Sequence, residues 1–195
     1  LEDKIVLLTG IGAGDSGRIG RGVAAACAFE AADVWAVGPG SDALAPLEGL
    51  PGIAIRVADM ADSKRRAGLA DDIGAIDVLI NLTEIADPAT NISELDEEAF
   101  DQAWASMVKA PALAIQTFLP AMGKRGGGAI INIAPPAPEA TNIAYETAVA
   151  ALSGFCVAFA ARHDTVRCNT IRPGALTPSS LDSIAQACLY QASES

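Results

Sequence analysis

Short apolar runs recur along the chain, and each is followed by glycine, proline or polar residues. Six of these runs are rich in aliphatic and β-branched side chains, as expected of buried parallel strands. They are residues 4–9, 33–37, 53–57, 77–81, 129–133 and 166–171. Between them, apolar positions recur at helical spacing, most clearly over residues 95–120 and 144–162. This alternation predicts an α/β fold, a doubly wound parallel sheet with helices on both faces.

Length and composition narrow the class of protein. The chain has 195 residues, 51% of them hydrophobic, which is enough for the core of one domain spanning residues 1–195. The net charge of −11 argues against a nucleic-acid or anionic-membrane partner, because both need clustered Lys and Arg. Charges, glycine or proline interrupt the longest apolar runs, so no transmembrane helix is predicted. The sequence opens without a signal peptide, and we therefore expect a cytoplasmic protein.

The cysteines give no sign of a metal site. None of the four belongs to a CxxC pair, and we interpret them as buried small hydrophobic residues rather than metal ligands or disulfide partners. They are Cys27, Cys156, Cys168 and Cys188.

The first predicted strand runs into a glycine-rich segment and then an alanine-rich helix. Glycines at this place allow a backbone to approach a pyrophosphate, which binds at the N-terminus of the helix. Gly10, Gly12, Gly14 and Gly20 are therefore candidates for binding NAD or NADP. The second strand ends in a Gly-Pro-Gly-Ser turn, which offers neither an acidic residue for NAD nor an arginine for NADP.

Several further segments match one known pattern in a single register. A strand at residues 129–133 leads into a Pro-rich loop, and a helical pattern begins near Tyr145. The other matching segments are Thr9-Gly10, Asn81, Phe100-Asp101, Lys109-Ala110-Pro111 and Pro173-Gly174. Together they resemble the short-chain dehydrogenase/reductase (SDR) family over residues 4–195. The resemblance implies a Rossmann-type fold with strand order 3-2-1-4-5-6.

The resemblance also implies which residues carry out catalysis. In the family a tyrosine serves as acid and base, and a lysine four positions later lowers its pKa from about 10. A serine holds the carbonyl oxygen and an asparagine relays protons. Only the tyrosine is present here, as Tyr145, whereas Pro135 replaces the serine, Val149 the lysine and Met107 the asparagine. We therefore expect no turnover by the isolated chain.

Other departures from the family bear on the cofactor. The segment from Gly10 to Gly20 is longer than the family's TGxxxGxG pattern, which predicts an extended loop. Asn81 opens the family's Asn-Asn-Ala-Gly segment, but the fourth position is Glu84, a carboxylate where a polyphosphate would pass. Asp59 matches an aspartate near the adenine and is equally well explained as the cap of a helix starting near Ala61. Binding of NAD or NADP is predicted to be weak or absent.

The C-terminal segment matches the family's late helix over residues 182–195. In the family a substrate lid lies between the Pro-Gly turn and this helix, and a final strand follows it. Here only residues 175–181 separate the two. The lid and the last strand are therefore expected to be deleted or to lie outside this sequence.

The helices at 95–120 and 144–162 carry too few polar side chains to be fully solvated, which predicts a subunit interface. Our leading hypothesis is a non-catalytic subunit that pairs with a catalytically competent SDR paralogue in a hetero-oligomeric dehydrogenase. The resemblance suggests a hydroxyacyl-CoA as the substrate of such a pair. Two alternatives remain open: an active alcohol or ketone oxidoreductase that uses Tyr145, and a nucleotide-sensing regulatory SDR.

Overall fold

The sheet follows the predicted topology. A computed structural model of the chain describes residues 1–84, 92–136 and 143–193. Six parallel strands lie in the order β3-β2-β1-β4-β5-β6. They are β1 (Ile5–Thr9), β2 (Asp33–Gly38), β3 (Ile53–Val57), β4 (Val78–Leu82), β5 (Gly128–Ile133) and β6 (Val166–Ile171). The predicted architecture and strand order are confirmed.

Helices cover both faces of the sheet because successive strand residues point to opposite sides. Val6 and Leu8 pack into one core with α1 and α7, whereas Leu7 packs into a second core with α3, α5 and α6. The helices are α1 (Asp15–Phe29), α2 (Ser41–Leu44), α3 (Ser63–Ile73), α4 (Glu97–Trp104), α5 (Ala110–Lys124), α6 (Ile143–Ala160) and α7 (Pro178–Ser193).

The helix predicted at 95–120 differs from the observed one in its bounds and its regularity. The Asp96 carboxylate caps α4 by accepting a hydrogen bond from the Ala99 N–H at 3.0 Å. A π-helical turn, Ala105–Lys109, then joins α4 to α5, next to Pro111. Proline has no N–H to donate and crowds the preceding turn, a common cause of such irregularity. The helix also continues past Pro120 to Lys124.

Helix α6 is buried on one side only. By length and composition it is apolar enough to cross a membrane, although no such helix was predicted. It packs on β6 and α4, and Leu152 and Phe159 are buried, so it is a core helix of this fold. Only 39% of it is buried, which leaves an apolar face toward solvent.

Candidate cofactor groove and active site

The glycine loop is shorter than predicted. Helix α1 begins at Asp15, so the extra residues form its first turn instead of extending the loop to Gly20. Asp15 pairs with Arg18 on that turn at 3.2 Å, and an acidic residue there is favoured by the helix dipole. The expectation of an extended loop was wrong.

The glycines of this segment serve different purposes. Gly10 has φ of +78°, and a Cβ there would lie 2.1 Å from the Leu82 carbonyl oxygen. A Cβ on Gly20 would meet the Leu82 and Ile11 side chains at 2.7 and 2.9 Å, so Gly20 allows α1 to pack on the sheet. Gly14 precedes the first residue of α1. Of these, Gly10 and Gly14 line cavities at the carboxyl ends of the strands.

Gly12 is covered by the protein's own carboxylate. A Cβ on Gly12 would lie 2.5 Å from Glu84 Oε2, and one on Gly14 would lie 3.2 Å from Glu84 Oε1. The Ser16 hydroxyl donates a hydrogen bond to Glu84 Oε1 and accepts one from the Gly12 N–H at 3.0 Å. The Ser106 hydroxyl holds the backbone of Glu84 by donating to its carbonyl oxygen at 2.7 Å. Glu84 thus places an anion at the N-terminal end of α1, where a phosphate would otherwise be stabilised.

Glu84 separates two cavities along the carboxyl ends of the strands. The larger, about 450 Å³, is lined by Pro39, Asp59 and Met60 among others. The smaller, about 300 Å³, is lined by Thr83 and Pro135 among others, and Glu84 lines both. NAD or NADP would need both spaces and room for two phosphates between them. The residues present therefore do not fit a bound dinucleotide, because the carboxylate lies where the phosphates would be.

Asp59 and Asn81 are already engaged within the protein. Asp59 Oδ1 accepts a hydrogen bond from the Ala61 N–H at 2.8 Å. It does not cap a helix as proposed: α3 starts at Ser63, and Asp62 caps it by accepting from the Lys64 and Arg65 N–H groups. Asp59 nevertheless borders the larger cavity.

Asn81 belongs to a buried hydrogen-bond ladder across the sheet. Its side-chain oxygen accepts from the Thr9 hydroxyl, and its amide donates to Asn132 Oδ1, both at 2.8 Å. These three residues are register partners on β1, β4 and β5. The ladder was not anticipated from the sequence. A polar residue at the same place near the end of three adjacent strands is the signal that could have revealed it.

The four positions that match the family's catalytic residues lie together in space, and three of them carry apolar side chains. Tyr145 and Met107 have no accessible surface, Val149 is 5% exposed, and the three pack in one apolar cluster with Ala134. The Tyr145 hydroxyl donates a hydrogen bond to the Pro135 carbonyl oxygen at 2.9 Å. The sequence-predicted residues are thus brought together as a small core.

The surroundings of Tyr145 favour its protonated form. Burial raises the pKa of the Tyr145 phenol above 10.0, and the nearby Arg172 guanidinium offsets this only in part. Arg172 lies 5.3 Å from the centre of the tyrosine ring and is paired with the Glu146 carboxylate. A raised pKa is the opposite of what acid–base catalysis near neutral pH requires.

Comparison with known proteins agrees with the fold and the motifs. The model of the family described as short chain dehydrogenase matches residues 4–188. The chain is 32% identical to zebrafish dehydrogenase/reductase SDR family member 6, over 96% of this chain and 77% of that protein. It is also 32% identical to 2-keto-3-deoxy-L-fuconate dehydrogenase of Xanthomonas campestris, over 96% of this chain and 63% of that protein.

Solved structures extend the similarity to the whole architecture. A short-chain type dehydrogenase/reductase from Mycobacterium ulcerans superposes with a TM-score of 0.84 at 22% identity, over 98% of this chain and 84% of the other. Hydroxysteroid dehydrogenase from Escherichia coli gives 0.80 at 25% identity, over 98% and 90%. The chain belongs to the short-chain dehydrogenase/reductase family.

Proposed function

We propose that this chain is a non-catalytic SDR subunit that supports a catalytically competent SDR paralogue in a hetero-oligomeric dehydrogenase. The observation that carries the proposal is the state of Tyr145. Its ring has no accessible surface and its hydroxyl is bonded to a backbone carbonyl. A substrate carbonyl therefore cannot reach the phenol without displacing core residues.

Two further losses support the proposal. Pro135 and Val149 offer neither a hydroxyl nor a cation, and residues that act together in catalysis lose orders of magnitude in rate when they are removed. Glu84 supplies a negative charge at the phosphate position. Both halves of a hydride-transfer site, the acid–base group and the cofactor cradle, are thus compromised in the same chain.

The exposed side of α6 supports an interface role. Val157 is 74% exposed, and Ala150, Gly154 and Ala158 lie on the same face. Residues 147–161 contain no charged side chain. Trp104 of α4, a helix that packs beside α6, is 42% exposed. Contiguous apolar surface of this kind marks protein–protein contacts. The partner would hold the cofactor and the substrate, for which a hydroxyacyl-CoA is our candidate class.

Co-expression with SDR proteins encoded in the same genome tests the proposal. We expect one of them to form a stable complex with this chain and to show NAD(P)-dependent turnover that falls when this chain is absent. The isolated chain should show none on secondary alcohols, ketones or hydroxyacyl-CoA esters. Turnover by the isolated chain near ~10 s⁻¹ that disappears in Tyr145→Phe would establish it as an enzyme in its own right.

A nucleotide-sensing role is the second candidate. It would require the Glu84 carboxylate to leave the phosphate position, and the larger cavity supports it. Its volume of about 450 Å³ lies within the range of small-molecule sites. Calorimetric titration separates the two roles. Binding of NAD or NADP at low micromolar concentration without turnover would favour the sensor, and no heat of binding would favour the structural subunit.

A further inference from the structure

Two cysteines that are not neighbours in the sequence lie side by side in the fold. Cys156 on α6 and Cys168 on β6 have their sulfur atoms 3.0 Å apart. A disulfide bond is about 2.05 Å long, so closing it would need a movement of roughly one ångström. Both residues are free thiols. Their sequence spacing does not match a CxxC motif, which is why the pair was not predicted.

The polar groups around the pair converge on one of the two sulfurs. Asn132 Nδ2 lies 3.3 Å from Cys156 Sγ and 3.7 Å from Cys168 Sγ. The Thr170 hydroxyl lies 3.3 Å from Cys156 Sγ. Asn132 is itself held in place, because its oxygen accepts a hydrogen bond from Asn81. This orients the Asn132 amide group so that its N–H bonds point to the sulfurs.

These contacts divide the pair into a nucleophile and a proton donor. The Cys168 thiol donates to Cys156 Sγ, and this hydrogen bond, with those from Thr170 and Asn132, lowers the pKa of Cys156. The same hydrogen bond and burial raise the pKa of Cys168. The other cysteines differ: burial raises the pKa of Cys27 and of Cys188 to about 12. Thiolate character determines reactivity, so the four cysteines are not equivalent.

We propose that Cys156 and Cys168 form an oxidisable dithiol that hydrogen peroxide converts to an intramolecular disulfide. The Cys156 thiolate attacks one peroxide oxygen, the O–O bond breaks, and the departing hydroxide takes a proton to become water. Cys156 is then a sulfenic acid. The Cys168 sulfur loses its proton and attacks the Cys156 sulfur, the S–O bond breaks, and a second water leaves. Two thiols are oxidised by two electrons and one peroxide is reduced to two waters.

The position of the pair explains its selectivity and its effect. Cys156 is 6% exposed and Cys168 7%, so a small oxidant is favoured over a bulky thiol reagent. The disulfide would link α6 to β6 on the side of α6 that faces the sheet. It would leave the solvent-facing side, with Val157, unchanged. The disulfide could form in this way whether or not the chain is a catalytic subunit.

Peroxide treatment of the intact wild-type protein tests the proposal. With a small molar excess of hydrogen peroxide, titratable thiols under denaturing conditions should fall from four to two. Peptide mapping should find Cys156 joined to Cys168, and dithiothreitol should restore both thiols. Four remaining thiols, a disulfide that includes Cys27 or Cys188, or only intermolecular dimers would each overturn the proposal.

Matched variants assign the roles. In Cys168→Ala the Cys156 sulfenic acid has no resolving partner, so a sulfenic-acid reagent should label Cys156. Cys27→Ala, at another buried cysteine, should leave the formation of the 156–168 disulfide unchanged. Thr170→Val should slow oxidation several-fold by removing one donor to Cys156. In a folded Cys168→Ala protein, labelling of Cys27 in place of Cys156 would contradict the assigned roles. Equal oxidation rates in Thr170→Val and wild type would also contradict them, and this comparison does not need Cys168→Ala to fold.

Discussion

Glu84 occupies the space that the glycine loop would otherwise leave for a ligand. In a dinucleotide-binding loop, glycine leaves room for the phosphates of the ligand. Here the room above Gly12 is filled by the Glu84 carboxylate, which Ser16 holds through a hydrogen bond. A Cβ at Gly12 would force the Glu84 carboxylate to move from this position. A glycine-rich segment that suggests a cofactor loop thus accommodates a side chain of the same protein.

Removing the Glu84 side chain should open the groove to cofactor. In Glu84→Gly the dissociation constant for NAD or NADP should fall at least tenfold, because both the steric block and the like-charge repulsion disappear. Glu84→Gln is the control: it removes the charge and keeps the bulk, so it should recover only part of the effect. Isothermal titration calorimetry measures the dissociation constants of the wild type and of both variants. Equal affinities would show that Glu84 does not block binding.

The Tyr145 hydroxyl should contribute to stability rather than to activity. Tyr145→Phe leaves the Pro135 carbonyl without the hydroxyl that it bonds at 2.9 Å, and losing a buried hydrogen bond costs about 1 kcal/mol or somewhat more. Urea unfolding at pH 8 should show this loss. NAD(P)-dependent activity should be absent in both proteins.

The stability contributed by Tyr145 should also depend on pH. Its pKa is raised in the folded state, so the unfolded chain loses the phenolic proton first as pH rises. The contribution is therefore complete below the ordinary pKa of about 10 and declines above it. The difference in unfolding free energy between wild type and Tyr145→Phe should narrow between pH 9 and roughly pH 11. A constant difference would contradict the raised pKa.

Helix α6 packs into the core on one side and exposes small and apolar residues on the other. Its inner side, with Leu152 and Phe159, fills the core, and its outer side carries Gly154 and Val157. Among the residues that the structure describes, no atom outside the helix lies within 4 Å of a Cβ built on Gly154, so a larger residue fits the monomer. A substitution at Gly154 should therefore affect assembly without disturbing the packing of the monomer. A substitution at Phe155 would disturb both, because the Phe155 ring is partly buried and stacks on the Phe159 ring with 6.2 Å between the ring centres.

A charge on the outer side of α6 should break the oligomer. In Gly154→Glu a carboxylate would be buried without a partner at the centre of the contact, which is costly. The protein should become monomeric or precipitate, and Phe155→Asp should do the same with additional loss of stability. Gly68→Glu is the matched control, since Gly68 is also exposed on a helix with open space around it. Light scattering measures the mass. A wild type that is monomeric at micromolar concentration, both alone and after co-expression with the SDR paralogue, would end the interface hypothesis.

The elements differ in how far the sequence predicts them. Strands such as β4 and β5 are buried on both faces and appear as continuous apolar runs, so their existence and order were predictable. The start of α1 at Asp15 and the π-helical turn at Ala105–Lys109 were not, because each depends on local packing beside a glycine or a proline. The candidate site likewise has features that the sequence predicts and features that it does not. The replacements Pro135, Val149 and Met107 were visible in the sequence, but the contact of Glu84 with Ser16 depends on tertiary structure.

At the scale of the whole molecule, the two cores depend on different parts of the chain. The core that contains Leu7 is covered by α3, α5 and α6 from the middle of the sequence. The opposite core is covered by α1 and by α7, the last described helix. Ile184 and Cys188 of α7 pack against residues of α1, and α7 also contacts β5. Closing this face of the sheet therefore requires residues from both ends of the described chain.

Removal of α7 should therefore prevent the whole domain from folding, and not only remove one helix from it. A chain ending at Thr177 would expose Ile131 and Ile133 of β5 and the inner side of α1 to water, at about 25 cal/mol for each Å² of apolar surface. Proteins are stable by only about 5–15 kcal/mol, so we expect aggregation or loss of cooperative unfolding. A chain ending at Ser193 is the control and should unfold like the wild type. Circular dichroism during thermal unfolding distinguishes them, and a cooperative transition in the shorter chain would show that the sheet and α1 are stable without α7.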